Sequence, residues 1–352
     1  MTDAPSKRVS SSAASDEGGG GAHGAPDSPG REPKGATIAT KTSGRVVRPG
    51  DRIFSGLATG SAALITAIIA AIGVFLIWRA IPALQRNQVS FLTSREWNTT
   101  NINEMAFGVL DLFQVTVFVS AFALLLAMPV SLGIALYLSH YAPARVRRPL
   151  AYTIDLLAAV PSIVYGLWGL LVFAPAIAPF AVWLNENLSW IPFFADGSSS
   201  VAGGGTIFTA GIVLAVMILP IITAVSREVF SQTPVFHIEA ALALGATRWE
   251  VMKMTVLPFG RSGYISGSML GLGRALGETM ALYMILRTTS QAFSWSLFDG
   301  GSTIASKIAL GYAEFNNDIQ AGAYIAAGLV LFLLTFLVNA SARAVVSRKA
   351  DG

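Results

Sequence analysis

Residues 239–258 read EAALALGATRWEVMKMTVLP. Long apolar segments flank the stretch, yet it carries Glu239, Arg248, Glu250 and Lys253 and is interrupted by Gly245 and Pro258. Glu239 to Leu244 has the composition of a short helix. Gly245 marks the turn, because without a Cβ it accepts a positive φ that other residues resist. A second short amphipathic helix is expected from Thr247 to about Val256, with Pro258 ending it for want of an N–H. Two short charged helices between apolar segments make a hairpin at a membrane surface, open to a soluble partner.

The spacing of this hairpin resembles the cytoplasmic EAA loop of permease subunits in ATP-binding-cassette importers. In that pattern Glu-Ala-Ala is followed by three residues, Gly, nine residues and Ile-x-Leu-Pro. Glu239-Ala240-Ala241, Gly245 and Leu257-Pro258 all fall in register, and Thr255 stands where the pattern prefers an aliphatic residue. Glu-Ala-Ala alone is ordinary helix composition, whereas the full spacing between two membrane spans is specific. The resemblance implies that Glu239, Ala240, Ala241, Gly245, Leu257 and Pro258 couple the chain to a cytoplasmic ATPase.

Working outward, hydrophobic residues make up 53% of the 352 residues and charged residues 12%, against about 25% charged in an average soluble protein. An all-α integral membrane protein with about six transmembrane helices is expected. The six apolar segments lie at about 57–78, 113–138, 151–175, 206–226, 263–286 and 322–342, each long enough for ~30 Å of hydrocarbon. The apolar stretch 175–184 is short and carries two prolines, and reads as an extension at the outer interface.

Eighteen of the 24 Lys and Arg residues fall on the side of the hairpin and both termini, five on the other side, and Arg274 inside a span. This asymmetry makes both termini cytoplasmic in a multi-pass cell-membrane protein. The net charge of +4 therefore reports topology, and no nucleic-acid partner is expected. The chain has no cysteine and three scattered histidines, His23, His140 and His237, so no metal centre is expected. Residues 1–50 are rich in Ser, Gly, Ala, Pro and charge; they read as a disordered cytoplasmic tail and not as a signal peptide. The permease domain then covers 57–342, with its cytoplasmic loop at 227–262 and a short C-terminal tail at 343–352.

Two intramembrane stretches carry polar character. In Val160-Pro161-Ser162-Ile163-Val164-Tyr165-Gly166 the proline removes a helical hydrogen bond and frees the carbonyl near Leu157. That kink either exposes polar backbone to a pathway or serves packing. In the stretch 271–281, Arg274 is reached about 16 Å in from Gly263 at ~1.5 Å per residue. An arginine at such depth costs roughly 2.5–3.5 kcal/mol on the insertion scale. Arg274 and Glu278 stand at i, i+4 and can pair on one face. Gly263, Gly267 and Gly271 form one small-residue stripe, and Gly273 with Gly277 another. The pair either neutralises itself to fix packing or offers a guanidinium fork to an oxyanion in transit.

The strings LLAAVPSIVYGLWGL (156–170) and GRALGETMA (273–281) resemble phosphate importer permeases, as do FLTSREWN (91–98) and PVSLGIALYLSHYA (129–142). The Thr-Met-Ala ending is similar to the C-type of the two phosphate-permease subunits. The resemblance covers about 57–342. It implies a type I ABC importer permease fold, an inorganic phosphate substrate, and translocation residues Arg274, Glu278, Pro161 and Ser162. It further implies a sister permease subunit in a heterodimer, two ATP-binding subunits and an extracytoplasmic phosphate-binding protein. The chain has no Gly-x4-Gly-Lys-Ser/Thr string, so ATP and Mg²⁺ belong to the partner ATPase and the chain is no enzyme. An importer for sulfate or molybdate is the alternative, and an anion channel or ion-coupled carrier a more distant one.

Overall fold

The structure, a computed structural model, describes residues 49–347 apart from 290, 313, 314 and 316. The expected tail at 1–50 lies outside these residues except for its last two positions, as does 348–352 at the other end. The chain divides into two units, 1–59 and 60–352; the packing below belongs to the second.

Helix α1 spans Pro49–Arg86, and a two-stranded antiparallel ladder follows, β1 (Trp97–Asn98) with β2 (Ala106–Phe107). Helix α2 (Leu110–Leu136) continues through a wide π turn to Tyr141, and α3 (Ala144–Ala159) doubles back. Helix α4 (Ser162–Trp168), a π turn at Gly169–Phe173 and α5 (Ala174–Leu188) form one run. Then come α6 (Ile207–Ser231), α7 (Val235–Ala243), α8 (Arg248–Val251), α9 (Leu257–Leu276), α10 (Met280–Ile285), α11 (Ile304–Gly311) and α12 (Asp318–Ser347).

Among the described residues, five runs are long and apolar enough to cross a membrane: 50–86, 110–141, 162–188, 201–231 and 318–344. Two of the six expected segments differ. The third does not run 151–175: Val160 and Pro161 are both extended, at ψ 130° and 137°, and α3 before them buries no residue. The spanning run is 162–188, and the expected extension at 175–184 is its second half. Pro175 fits because it sits in the first turn after a π turn, where the tight i→i+4 pattern is already relaxed, and Pro179 lies inside α5. The fifth, 263–286, is no single helix. It is α9 and α10, separated by Gly277, Glu278 and Thr279.

Helix α6 is the centre of the bundle. In its most apolar window 72% of residues are buried, against none in α1. Ile207, Leu214, Met217, Ile218 and Ile222 are fully enclosed by α2, α9, α4 and α10. Helix α9 lies on α6 through glycines: a Cβ at Gly271 would stand 2.7 Å from Ile222, and one at Gly267 3.1 Å from Val225. Gly260 and Gly263 meet Phe230 and Val229 in the same way. The expected stripe at 263, 267 and 271 is therefore the α6 contact. The second stripe has no such use among the described residues, since nothing there lies within 4 Å of a Cβ at Gly273 and only the preceding turn approaches Gly277. Helix α12 packs against α1 and α11, with Arg79 pairing Asp318 at 3.0 Å.

Candidate functional site

The hairpin is assembled locally. Helix α7 starts at Val235, four residues before the expected Glu239, because Pro234 presets an extended N-cap at φ −59°, ψ 128°. It ends as Gly245 takes φ +89°, with Gly245 N–H donating to the Leu242 carbonyl at 2.9 Å and Ala246 N–H to Ala241 at 3.1 Å. Thr247 then caps α8 in a reciprocal box. Its hydroxyl accepts from Glu250 N–H at 3.4 Å, and the Glu250 carboxylate accepts from Thr247 N–H at 2.7 Å and from its hydroxyl at 2.8 Å. The Thr247 amide, and after it the hydroxyl, hold the Glu250 carboxyl below its ordinary value.

Pro258 does not end this helix. A π turn at Met252–Val256, closed by Leu257 N–H on the Met252 carbonyl, carries α8 directly into α9, and Pro258 falls in the first turn of α9. The widened turn accommodates the N–H that proline lacks. Val251, Met252 and Val256 seat the hairpin on Leu136 of α2 and Phe230 of α6.

The six expected coupling residues divide. Glu239, Ala240, Gly245 and Pro258 are exposed, whereas Ala241 and Leu257 turn toward the core beneath the hairpin. Leu244 and Trp249, which the motif does not include, are 90% and 62% exposed beside the turn. Apolar side chains next to a turn glycine in a charged loop were the available signal.

The second candidate site lies where two helix breaks meet. Gly166 of α4 packs on Ala281 and Met284 of α10, so the Pro161 segment and the Gly277–Thr279 break are neighbours. The Leu157 carbonyl that Pro161 frees is not left open. Val160 N–H donates to it at 3.3 Å, and the Tyr165 hydroxyl reaches back to it at 2.9 Å. Tyr165 was missed from sequence, although a lone phenol in an apolar string needs a partner. Pro161 itself is exposed and Ser162 half-buried.

Arg274 and Glu278 do not pair with each other. Among the described residues the ion pairs within 4.0 Å are Arg79–Asp318, Arg95–Asp111 and Arg227–Asp155. The i, i+4 geometry needs an unbroken helix, and α9 stops at Leu276. Each charge answers a different helix end instead. Arg274 stands in the last turn of α9, where exposed carbonyls favour a cation. Glu278 is buried just before α10, and its Oε1 accepts the Ala281 N–H at 3.0 Å. Arg274 keeps a buried Nε without a hydrogen-bond partner among the described residues and lies within electrostatic range of the Tyr165 hydroxyl. A discontinuous helix inside a bundle, with an unsatisfied guanidinium donor at its break, is suited to receive an anion.

Residues 127–351 match the family described as binding-protein-dependent transport system inner membrane component. The chain belongs to this family. Its relatives include the phosphate transport system permease protein PstC 2 of Mycobacterium tuberculosis, 56% identical over 308 residues, which cover 88% of this chain and 95% of the relative. The PstC proteins of Mycobacterium leprae and Xylella fastidiosa are 56% and 40% identical, covering 87% and 85% of this chain and 96% and 91% of theirs. Among solved structures, a bacterial ABC transporter involved in the import of the acidic polysaccharide alginate is similar at TM-score 0.48 and 16% identity. That likeness covers 67% of this chain and 79% of the other. As an inner membrane component the chain is a multi-pass, helical membrane permease, in line with the fold class expected from composition and the hairpin motif.

Proposed function

We propose that this chain is the transmembrane permease subunit of an ATP-driven phosphate importer. One observation carries the reading: relatives that are 56% identical across nearly their whole length are phosphate transport system permease proteins. The broken α9–α10 helix agrees with it, because Arg274 offers a planar donor fork suited to phosphate oxygens. In this reading Arg274, Glu278, Pro161 and Ser162 line half of the translocation pathway. Gly273 and Gly277, where an added Cβ would meet no other element among the described residues, face a sister permease that completes it.

The hairpin is the coupling element. Glu239, Ala240 and Gly245, with the exposed Leu244 and Trp249, present a mixed polar and apolar knob to a groove of a cytoplasmic ATPase. Two such ATPase subunits hold ATP and Mg²⁺, the permease itself catalyses no reaction, and an extracytoplasmic binding protein delivers phosphate. The Lys and Arg asymmetry supports cytoplasmic termini.

The test is reconstitution of the assembled transporter with its binding protein in liposomes, followed by uptake of radiolabelled phosphate, sulfate and molybdate. Phosphate uptake that requires ATP is expected. Preference for sulfate or molybdate would reassign the substrate, and uptake independent of ATP would make the chain a channel or an ion-coupled carrier.

A further inference from the structure

A second cluster of charge lies at the opposite end of the bundle from the hairpin. Asp111 is in the first turn of α2, while Ala135 and Leu136 near the other end of α2 pack beneath the hairpin. The separation is ~36 Å at 1.5 Å per residue. Arg274 lies only ~26 Å along α9 from Leu257 by the same measure, so the Asp111 cluster is farther from the hairpin than Arg274 is.

The cluster surrounds a cavity of about 100 Å³ lined by Arg95, Trp97, Asp111, Thr288, Ser302 and Lys307 among others. At roughly 30 Å³ of liquid volume per water, it has room for about three waters or one tetrahedral oxyanion. The β1–β2 ladder fixes Trp97 opposite Phe107, and the indole stacks edge-on against Phe107 and Tyr324. Lys307 Nζ sits 5.6 Å from the indole centroid. Arg95 Nη1 approaches Asp111 Oδ1 at 3.4 Å.

Two buried polar atoms here have no hydrogen-bond partner among the described residues. One is a donor, Trp97 Nε1–H, and the other an acceptor, Asp111 Oδ1, whose ion pair with Arg95 at 3.4 Å lacks hydrogen-bond geometry. Folded proteins leave few such atoms unmatched. A donor, an acceptor and two cations around one small cavity match a ligand that is anionic, rich in acceptors and still carries a proton. Phosphate near neutral pH is such an ion, and sulfate, with no proton to give, is not.

We propose that this pocket is a second oxyanion subsite, which takes phosphate before it reaches Arg274. The inference rests on the phosphate reading given above. Arg95 and Lys307 supply attraction, Trp97 Nε1–H donates to one oxygen, and Asp111 accepts the proton-bearing one while repelling an anion that has none. Glu278 is less suited to that discrimination, because its Oε1 already caps α10.

The experiment uses the assembled transporter in nanodiscs, without binding protein, titrated with radiolabelled inorganic phosphate and with sulfate as competitor. Trp97→Phe keeps the ring packing and removes only the donor; Arg95→Gln removes a cation. Each is expected to weaken phosphate binding tenfold or more, and Asp111→Asn to admit sulfate. Thermal unfolding and subunit co-purification establish that the variants assemble, and Trp97→Phe serves where Arg95→Gln does not. Wild-type phosphate affinity in both Trp97→Phe and Arg95→Gln would overturn the proposal. Sulfate bound in place of phosphate by the wild type, with the same dependence on Arg95 and Trp97, would keep an oxyanion pocket and overturn the phosphate reading and the part given to Asp111.

Discussion

The turn at Gly245 and the break at Gly277–Thr279 both interrupt helices at a glycine, and they are held in different ways. Gly245 stands in open space at φ +89°, with nothing within 4 Å of where a Cβ would be. Its shape follows from its own backbone and from the amide hydrogen bonds of its neighbours. Gly277 has an ordinary φ of −92°, and its break depends on what surrounds it. Glu278 caps α10, Arg274 closes α9, and Gly166 brings α4 against Ala281. A turn of the first kind is set by one residue. A break of the second kind is shared among several residues and changes when any of them does.

The strongest way to separate the two is Gly245→Pro. Proline can adopt neither the positive φ nor the N–H···O bond to Leu242. The subunit is expected to stay in the membrane and to lose ATPase co-purification and all uptake. Normal co-purification would show that the hairpin is not the coupling element.

Next is Arg274→Lys, which keeps the charge at the C-terminus of α9 and removes the fork. Uptake should fall roughly ten- to hundredfold, the worth of one charge-assisted hydrogen bond of about 1.5–3 kcal/mol, with assembly intact. Unchanged uptake would reduce Arg274 to a helix-end cation. Beside it, Glu278→Gln retains an acceptor for Ala281 N–H and should unfold like the wild type, whereas Glu278→Ala should cost about 1 kcal/mol, as loss of a cap does. Equal melting of the two would remove the cap from the account of the break.

A smaller effect distinguishes the two glycine stripes. Gly271→Ala presses a methyl group onto Ile222 and should destabilise the chain by about 1–3 kcal/mol. Gly273→Ala meets nothing within this chain and should be neutral or gain up to about 1 kcal/mol of helix propensity. If Gly273 faces a sister subunit, that same substitution weakens heterodimer co-purification without lowering the thermal stability of the chain.

The smallest effect is local to the hairpin. The Glu250 carboxyl is held below its ordinary value of 4.5, so its contribution to the cap is complete above that value and is lost as pH falls through the lowered folded value. Exchange protection of the Thr247 amide should decline over that acid range. In Glu250→Gln it should show no such titration.

These differences also explain what could be read from residues alone. The Gly245 turn and the helix that begins after Thr247 depend on positions within a few residues of each other, and the turn stands where the motif places it and the helix where it was expected to start. The α9 stripe at 263, 267 and 271 was legible for the same reason, as helical spacing in one segment. The Arg274–Glu278 pair was not, because i, i+4 presumes a continuous helix and the break at Gly277 is stabilised from α4. Pro161 announced an interruption, but whether it would kink one span or separate two helices depended on α3 burying nothing and on Tyr165 closing the Leu157 carbonyl. The shift of the third span to 162–188 followed from that. The cluster around Asp111 joins residues more than 200 positions apart, beyond the reach of any local pattern.

The passage of α8 through its π turn into α9 makes the chain from Arg248 to Leu276 one helical strut, ~43 Å long at 1.5 Å per residue. The knob sits at one end and Arg274 one turn from the other, with no hinge glycine at positive φ between them. A tilt of about 5° about the knob displaces the far end of such a strut by about 4 Å, more than the length of a hydrogen bond. Phe230, Val229, Val225 and Ile222 of α6 sit in the glycine notches of that strut, so α6 is held close along the strut's length. If the hairpin docks on a moving partner, as proposed, a push there reaches the guanidinium by leverage along a single element that includes the π turn at Met252–Val256.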